Sequence, residues 1–292
     1  MPNLKEVRNR IESVNSTQQI TSAMKLVAAS KLRKAQGAIL QLRPYAQKLQ
    51  ELLQGLSATL DQSDETVYSD TREVKRVLLV VVTSNRGLCG AFNSNVVKQA
   101  ELLIHTSYRD AFDRGDLSLY CIGKRGAEYF SGHDYPVVKA DLELFEKLDY
   151  DNVLSIAKGL MQDFAEKKYD RIDIIYNQFK NAAAQVLLTE QFLPIPPPAN
   201  EGSSLNADYI FEPNKEDIMR ELVPKSLKIQ FYKALLDSYA SEHGARMTAM
   251  HMATDNATEL LKELKLSYNK ARQASITNEI LEIVSGAEAL KE

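Results

Sequence analysis

What this chain lacks narrows its class before any motif is read. It has two cysteines in 292 residues, Cys89 and Cys121, too few for a disulfide framework. Both fall in or beside apolar, strand-like runs, where a buried free thiol is the ordinary state. A reducing, cytoplasmic setting fits. No run of about 18 consecutive apolar residues occurs, so nothing reads as a membrane-spanning helix. Residues 1–15 have no apolar segment of the kind a secretory signal needs, and acidic residues begin at Glu6, unlike a transit peptide. Walker A, G-x-G-x-x-G and G-x-S-x-G patterns are all missing. The four histidines (His105, His133, His243, His251) are scattered without zinc spacing. Carboxylates are plentiful, but no pair stands out as an acid/base couple. The chain reads as non-catalytic.

Glycine and proline are nearly missing from both ends. Residues 3–60 hold Gly37, Gly55 and Pro44, and residues 225–285 hold Gly244 and no proline. At about 1.5 Å per residue each end can form a helix of up to roughly 90 Å. Helices of that length need an apolar partner, because propensity alone rarely holds them. The nearest partner is the other end of the same chain, which predicts a rod of two antiparallel helices.

The N-terminal segment keeps a seven-residue period. Steps of three and four run from Leu4 through Val7, Ile11, Val14, Gln18, Thr21, Lys25, Ala28, Leu32, Ala35, Ile39, Leu42, Ala46, Leu49, Leu53 and Leu56 to Leu60. A sustained heptad indicates a left-handed coiled coil. The seam turns polar at Gln18, Thr21 and Lys25, while Ile20, Met24 and Val27 form a second apolar stripe on another face. Pro44 is expected to kink or loosen one turn. Near the other end Phe231, Leu235, Met247, Met250, Ala253, Ala257, Leu261, Leu264, Tyr268 and Ala271 recur less regularly. Gly286 suits a C-terminal stop, and Pro213 and Pro224 suggest a hesitant start.

Between the ends, apolar runs at 77–82, 117–122, 172–176 and 186–188 alternate with helical patterns near 94–107, 124–131 and 152–167. That alternation predicts a mostly parallel, doubly wound sheet. The fold class is therefore α/β: a long antiparallel coiled coil with an inserted Rossmann-like domain. Its parts are helix 1–60, domain 75–193, a Pro-rich linker 194–214 and helix 215–292. Gly87-Leu88-Cys89-Gly90 follows the first strand. It suits either a tight turn or, less readily, a phosphate site built from backbone amides.

The net charge of −3 is unevenly spread: +6 over residues 1–60, −8 over 61–214 and −1 over 215–292. A basic helix invites an acidic partner, nucleic acid included, although it has no aromatic residue before Tyr45. The cation-studded run Met24–Lys34 and the polar run Tyr268–Glu279 each read alone as solvated helix faces.

Together the two ends become recognisable. Val14–Arg33, Ala245–Ala257, Tyr268–Glu279 and Ile283–Ala287 resemble the terminal signatures of the gamma subunit of F-type ATP synthases, and Thr83–Gly90 resembles its central segment. The resemblance spans the chain in order. It implies the central stalk of a rotary motor, with no cofactor, turning inside a ring of three alpha and three beta subunits. Its α/β domain would rest with epsilon on the membrane ring of c subunits, and proton flow would drive ATP synthesis on the beta subunits. It further implies beta-subunit contacts at Arg272, Gln273, Thr277 and Glu279, and at Met24, Lys25, Lys31 and Arg33. Tyr209, Phe211 and Glu212 would belong to a foot on the c-ring and epsilon. The chloroplast type's cysteine-bearing insert has no counterpart here. A bacterial source fits, the complex lying on the cytoplasmic face of the inner membrane. The competing readings are a stand-alone α/β enzyme with a coiled-coil oligomerisation arm, and a nucleic-acid-binding coiled coil.

Overall fold

The computed structural model describes residues 4–57, 67–70, 72–182, 184–195 and 215–289. Most of the linker, with Tyr209, Phe211 and Glu212, lies outside them, as does Leu60. The elements run in the order α1 (Leu4–Ser57), β1 (Val77–Val82), α2 (Phe92–His105), α3 (Arg109–Asp113), β2 (Leu117–Ile122), α4 (Lys124–Gly132), β3 (Val137–Asp141), α5 (Tyr150–Ala165), β4 (Arg171–Phe179), β5 (Gln185–Leu193) and α6 (Lys215–Ala289). The chain divides into two compact units, and the division cuts both long helices: residues 1–28 with 247–292, and residues 29–246.

In the first unit the two helices run antiparallel. Gln18 Nε2 donates to Thr258 Oγ1 at 2.7 Å, and the Thr21 and Thr254 hydroxyls are 2.9 Å apart. Moving up α1 by three residues moves down α6 by four. Around these polar rungs Val7 and Ala28 of α1 are buried, as are Met250, Ala257, Leu261 and Leu264 of α6. Every seam position of α1 from Leu4 to Leu49 is buried or half-buried, so the heptad marks the inward face correctly. Gln18 and Thr21 stay on the seam because each finds a partner, which a buried polar group requires.

The second unit is built on a five-stranded sheet in the order β3-β2-β1-β4-β5. β1 is parallel to β2 and β4, β2 is parallel to β3, and β5 returns antiparallel to β4. All six residues of β1 are buried. A central strand covered on both faces reads as one continuous apolar run. Val77, Leu79 and Val81 meet Val96, Ala100 and Ile104 of α2 and Phe130 of α4. Leu78, Val80 and Val82 belong to the opposite core, with Leu160 and Phe164 of α5 and Leu227, Phe231 and Leu235 of α6. The first stretch of α6 is thus a layer of the α/β core as well as the start of a long helix.

Four details differ from the sequence reading. β3 and α3 carry no strong periodic signal. β3 is a short edge strand with an exposed middle, so burial never imposed an apolar pattern on it. α6 begins at Lys215 and continues through Pro224, because Val223 and Leu227 on either side are held in the core. α6 also runs past Gly286 to Ala289. Pro44 lies inside α1, where the sequence reading placed it.

Candidate functional site

In doubly wound sheets ligands settle outside the carboxyl ends of the strands, where the strand order reverses. Here that crevice lies at the ends of β1 and β4, the first strand and the neighbour on its other side. It is occupied by the chain itself. Ser241 of α6 donates to the Asn177 carbonyl of β4 at 3.0 Å, and Asn177 Nδ2 reaches the Phe92 carbonyl at 3.4 Å. A Cβ on Gly244 would stand 3.2 Å from the Ala182 carbonyl oxygen and 3.6 Å from the Phe179 ring. Only a residue without a side chain lets the helix settle this close to the β4–β5 turn without pushing it aside.

Arg246 completes the seat. Its Nη2 donates to the carbonyls of Arg86 and Gly87 at 2.9 and 3.2 Å, and its Nη1 binds Glu242 one helical turn earlier. The turn that receives it is braced from within. Ser84 Oγ donates to the Arg86 carbonyl at 2.7 Å, and Asn93 Oδ1 accepts from the Ser84 amide at 2.9 Å. Asn93 Nδ2 lies 2.8 Å from Ser84 Oγ and 3.2 Å from Cys89 Sγ. Leu88 and Gly90 both adopt positive φ, 62° and 59°. Arg86–Gly90 is a tight turn whose first two carbonyls, of Arg86 and Gly87, are taken by a cation from α6. The sequence reading missed this use of it. The one available signal was Glu242, Gly244 and Arg246 standing together in a helix whose earlier buried positions, from Met219 to Leu235, are apolar.

The electrostatics follow from burial. Desolvation pushes the Glu242 carboxyl up, and the Arg246 guanidinium opposes that shift. Burial, then Arg246 and Lys31, hold His243 down at about 3, so its ring is neutral at pH 7. Arg246 Nη1 lies 3.4 Å from His243 Nδ1. Arginine can only donate, so Nδ1 accepts and the proton belongs on Nε2. That atom is buried without a hydrogen-bond partner among the described residues. The ring instead packs edge-on against Tyr239, with centroids 4.4 Å apart. Both cysteines are free and buried.

The residues singled out by the resemblance lie elsewhere. Arg272, Gln273, Thr277 and Glu279 are all exposed on the last third of α6. At about 100° per residue, Arg272 and Glu279 share one line of the helix, and Gln273 and Thr277 share another. Between the two lines stand Ile276, Ile280 and Ile283, exposed by 48, 55 and 71 %. The polar residues therefore frame an apolar stripe. On α1, Lys31 and Arg33 are exposed, whereas Met24 and Lys25 are half-buried. Ile20 and Val27 of the second apolar stripe are 60 and 59 % exposed. Among the described residues no cluster of His, Cys, Asp or Glu could hold a metal ion, and no helix is long and apolar enough to cross a membrane.

Comparison with known proteins converges on one family. The ATP synthase family profile matches residues 3–290. The ATP synthase gamma chain of Flavobacterium johnsoniae is 58% identical over 290 residues, covering 99% of both chains. That of Chlorobaculum tepidum is 45% identical over the full length of both. Among solved structures, a chain of the central stalk/c-ring of Tetrahymena thermophila mitochondrial ATP synthase is 26% identical, with a TM-score of 0.57 over 80% of this chain and 99% of that one. A chain from the Euglena gracilis mitochondrial ATP synthase shares the fold at 19% identity, with a TM-score of 0.67 over 98% of this chain and 94% of its own. With the antiparallel terminal helices and the doubly wound insert already established, the chain belongs to the ATP synthase gamma family.

Proposed function

We propose that this chain is the non-catalytic central-stalk rotor of a proton-translocating F-type ATP synthase. It couples proton flow through the membrane sector to nucleotide turnover on the alpha and beta subunits. Full-length identity to gamma chains carries the reading. The self-filled crevice at the strand ends supports the non-catalytic part, because the usual ligand position of such a sheet is taken by α6. One copy would assemble with three alpha and three beta subunits, with epsilon and a c-ring at its base. The complex would sit on the cytoplasmic face of a bacterial inner membrane. Functionally, residues 1–60 and 215–292 serve as the two arms of the shaft, 75–193 as the insert and 194–214 as the foot that carries Tyr209, Phe211 and Glu212.

Arg272, Gln273, Thr277 and Glu279, with Met24, Lys25, Lys31 and Arg33, are the proposed beta-subunit contacts. Exposed apolar stripes beside them, Ile276/Ile280/Ile283 and Ile20/Val27, are unpartnered among the described residues. Such stripes suit a surrounding sleeve of other subunits. Contacts that break at every step must be weak, and exposed ion pairs at about 0–1 kcal/mol each fit a sliding bearing. Native mass spectrometry of the tagged chain, purified in mild detergent from its own cells, tests the assignment. One copy with three alpha and three beta subunits is expected; a lone chain or homodimer beside an intact ATP synthase would refute it. In the assembled enzyme, alanine at Arg272 or Gln273 is expected to lower coupled ATP synthesis. Unchanged synthesis in both variants would remove them from the contact set.

A further inference from the structure

We propose that the Glu242–Arg246 clasp is a positioning device: it fixes the rotational setting of α6 against the sheet, so that torque passes between shaft and insert through the Arg86–Gly90 turn. This rests on the stalk reading above. From Met219 to Leu235, α6 meets the sheet mainly through apolar side chains, with one hydrogen bond, from Gln230 Nε2 to Glu190 of β5 at 2.7 Å. Apolar burial is non-directional; it resists separation but defines the helix's rotation about its own axis only loosely. The Gln230 bond joins two long, flexible side chains. The directional contacts to backbone come later and together: the Ser241 hydroxyl on the Asn177 carbonyl, the close approach at Gly244, and the two-carbonyl fork of Arg246. Arg246 is also the last α6 residue belonging to the sheet-bearing unit.

The chemistry of the clasp suits position better than stability. Both side chains are about nine-tenths buried. A buried ion pair contributes little net stability compared with an apolar pair of the same volume. Its distinctive contribution is geometric, since a planar guanidinium holding two carbonyls and a carboxylate has one orientation. The receiving side is equally set. The Arg86 carbonyl accepts from both Ser84 and Arg246, and Asn93 ties Ser84 to the start of α2. The other charged or titratable groups facing the clasp are Lys31 of α1, Arg86 and Cys89 of the turn, and Tyr239 and His243 of α6. None of them offers a second fork.

The test uses the whole ATP synthase in inverted membrane vesicles, with Arg246→Gln and Arg246→Lys variants of this chain. Three quantities are read: subunit composition, ATP hydrolysis, and protons pumped per ATP hydrolysed. With Gln, we expect intact complexes that hydrolyse ATP while pumping per ATP falls to about half or less, because the fork and its buried charge are both lost. Lysine keeps a charge against Glu242 but cannot span two carbonyls, so it should fall between Gln and wild type. A merely structural role would lower the amount of complex and leave the ratio unchanged, and that result for either assembled variant overturns the proposal. If the Gln variant does not assemble, Lys decides. Amide exchange at residues 86–90 in the Lys complex should then quicken as the ratio falls, and faster exchange with a wild-type ratio also overturns the clasp. Failure of the stalk reading shows separately, as a wild-type chain that does not copurify with alpha and beta subunits.

Discussion

Asp237 offers the clearest quantitative test of the packing. It lies in α6, 3 % exposed, on the wall of a cavity of about 600 Å³ that also includes Arg43 and Gln47 of α1, Gln178 and Lys180 near the β4–β5 turn, and Lys233. Burial lifts its carboxyl from 3.8 to about 6; Lys233 and Arg43 pull it down and Glu190 pushes it up. Because the folded value is raised, the charged form is the costly one. No cost is present below the unfolded value. It grows as pH rises from about 4 to 6 and is complete above 6. A shift of about two units corresponds to about 3 kcal/mol at pH 8 and about 1 kcal/mol at pH 4.5. The attraction to Lys233 and Arg43 is already contained in those figures. Asp237→Asn removes the charge and keeps the shape. The variant should be more stable than wild type at pH 8, with a gain about 2 kcal/mol larger there than at pH 4.5. Urea unfolding of the purified chain at both pH values, followed by far-UV circular dichroism, reads the difference. A gain that is the same at both values, or an Asn variant less stable at pH 8, would refute the assignment of a desolvated carboxylate.

Two further predictions concern the polar seam and the thiols. Valine at Thr21 alone or Thr254 alone leaves the other hydroxyl only the backbone carbonyl of its own helix, Met250 for Thr254 and Gln18 for Thr21. The double variant removes both, so a double-mutant cycle read by thermal unfolding should show coupling of about 0.5–1.5 kcal/mol. Additive effects would mean that the 2.9 Å contact between the hydroxyls carries nothing. Burial pushes the Cys121 thiol to about 12 and raises Cys89 as well. Neither should react with a disulfide reagent at pH 8 in the folded chain, and both should react at once in denaturant. Stoichiometric labelling of the native protein would contradict their placement in the core.

The sequence alone was sufficient wherever burial imposed a repeat. The heptad of α1 identified its inward face residue by residue from Leu4 to Leu49, because a helix against a long partner meets it every three or four residues. The six apolar residues of β1 announced a strand covered on both faces. The distinctive terminal segments were enough to point to the family. Other features had no local signature. β3 is a half-exposed edge, so no period was impressed on it. Pro224 suggested a hesitant start to α6, yet the helix runs through it with Val223 and Leu227 on either side held in the core. The clasp was illegible for a different reason. Glu242 and Arg246 look like an ordinary surface pair at helical spacing, and Gly87 like an ordinary turn. What makes them a seat is that chain segments 160 residues apart meet at the strand ends, where burial turns two carbonyls into obligatory acceptors. Local periodicity can be read from neighbours in the chain, but the partners of a buried polar group are chosen only when the fold closes around it.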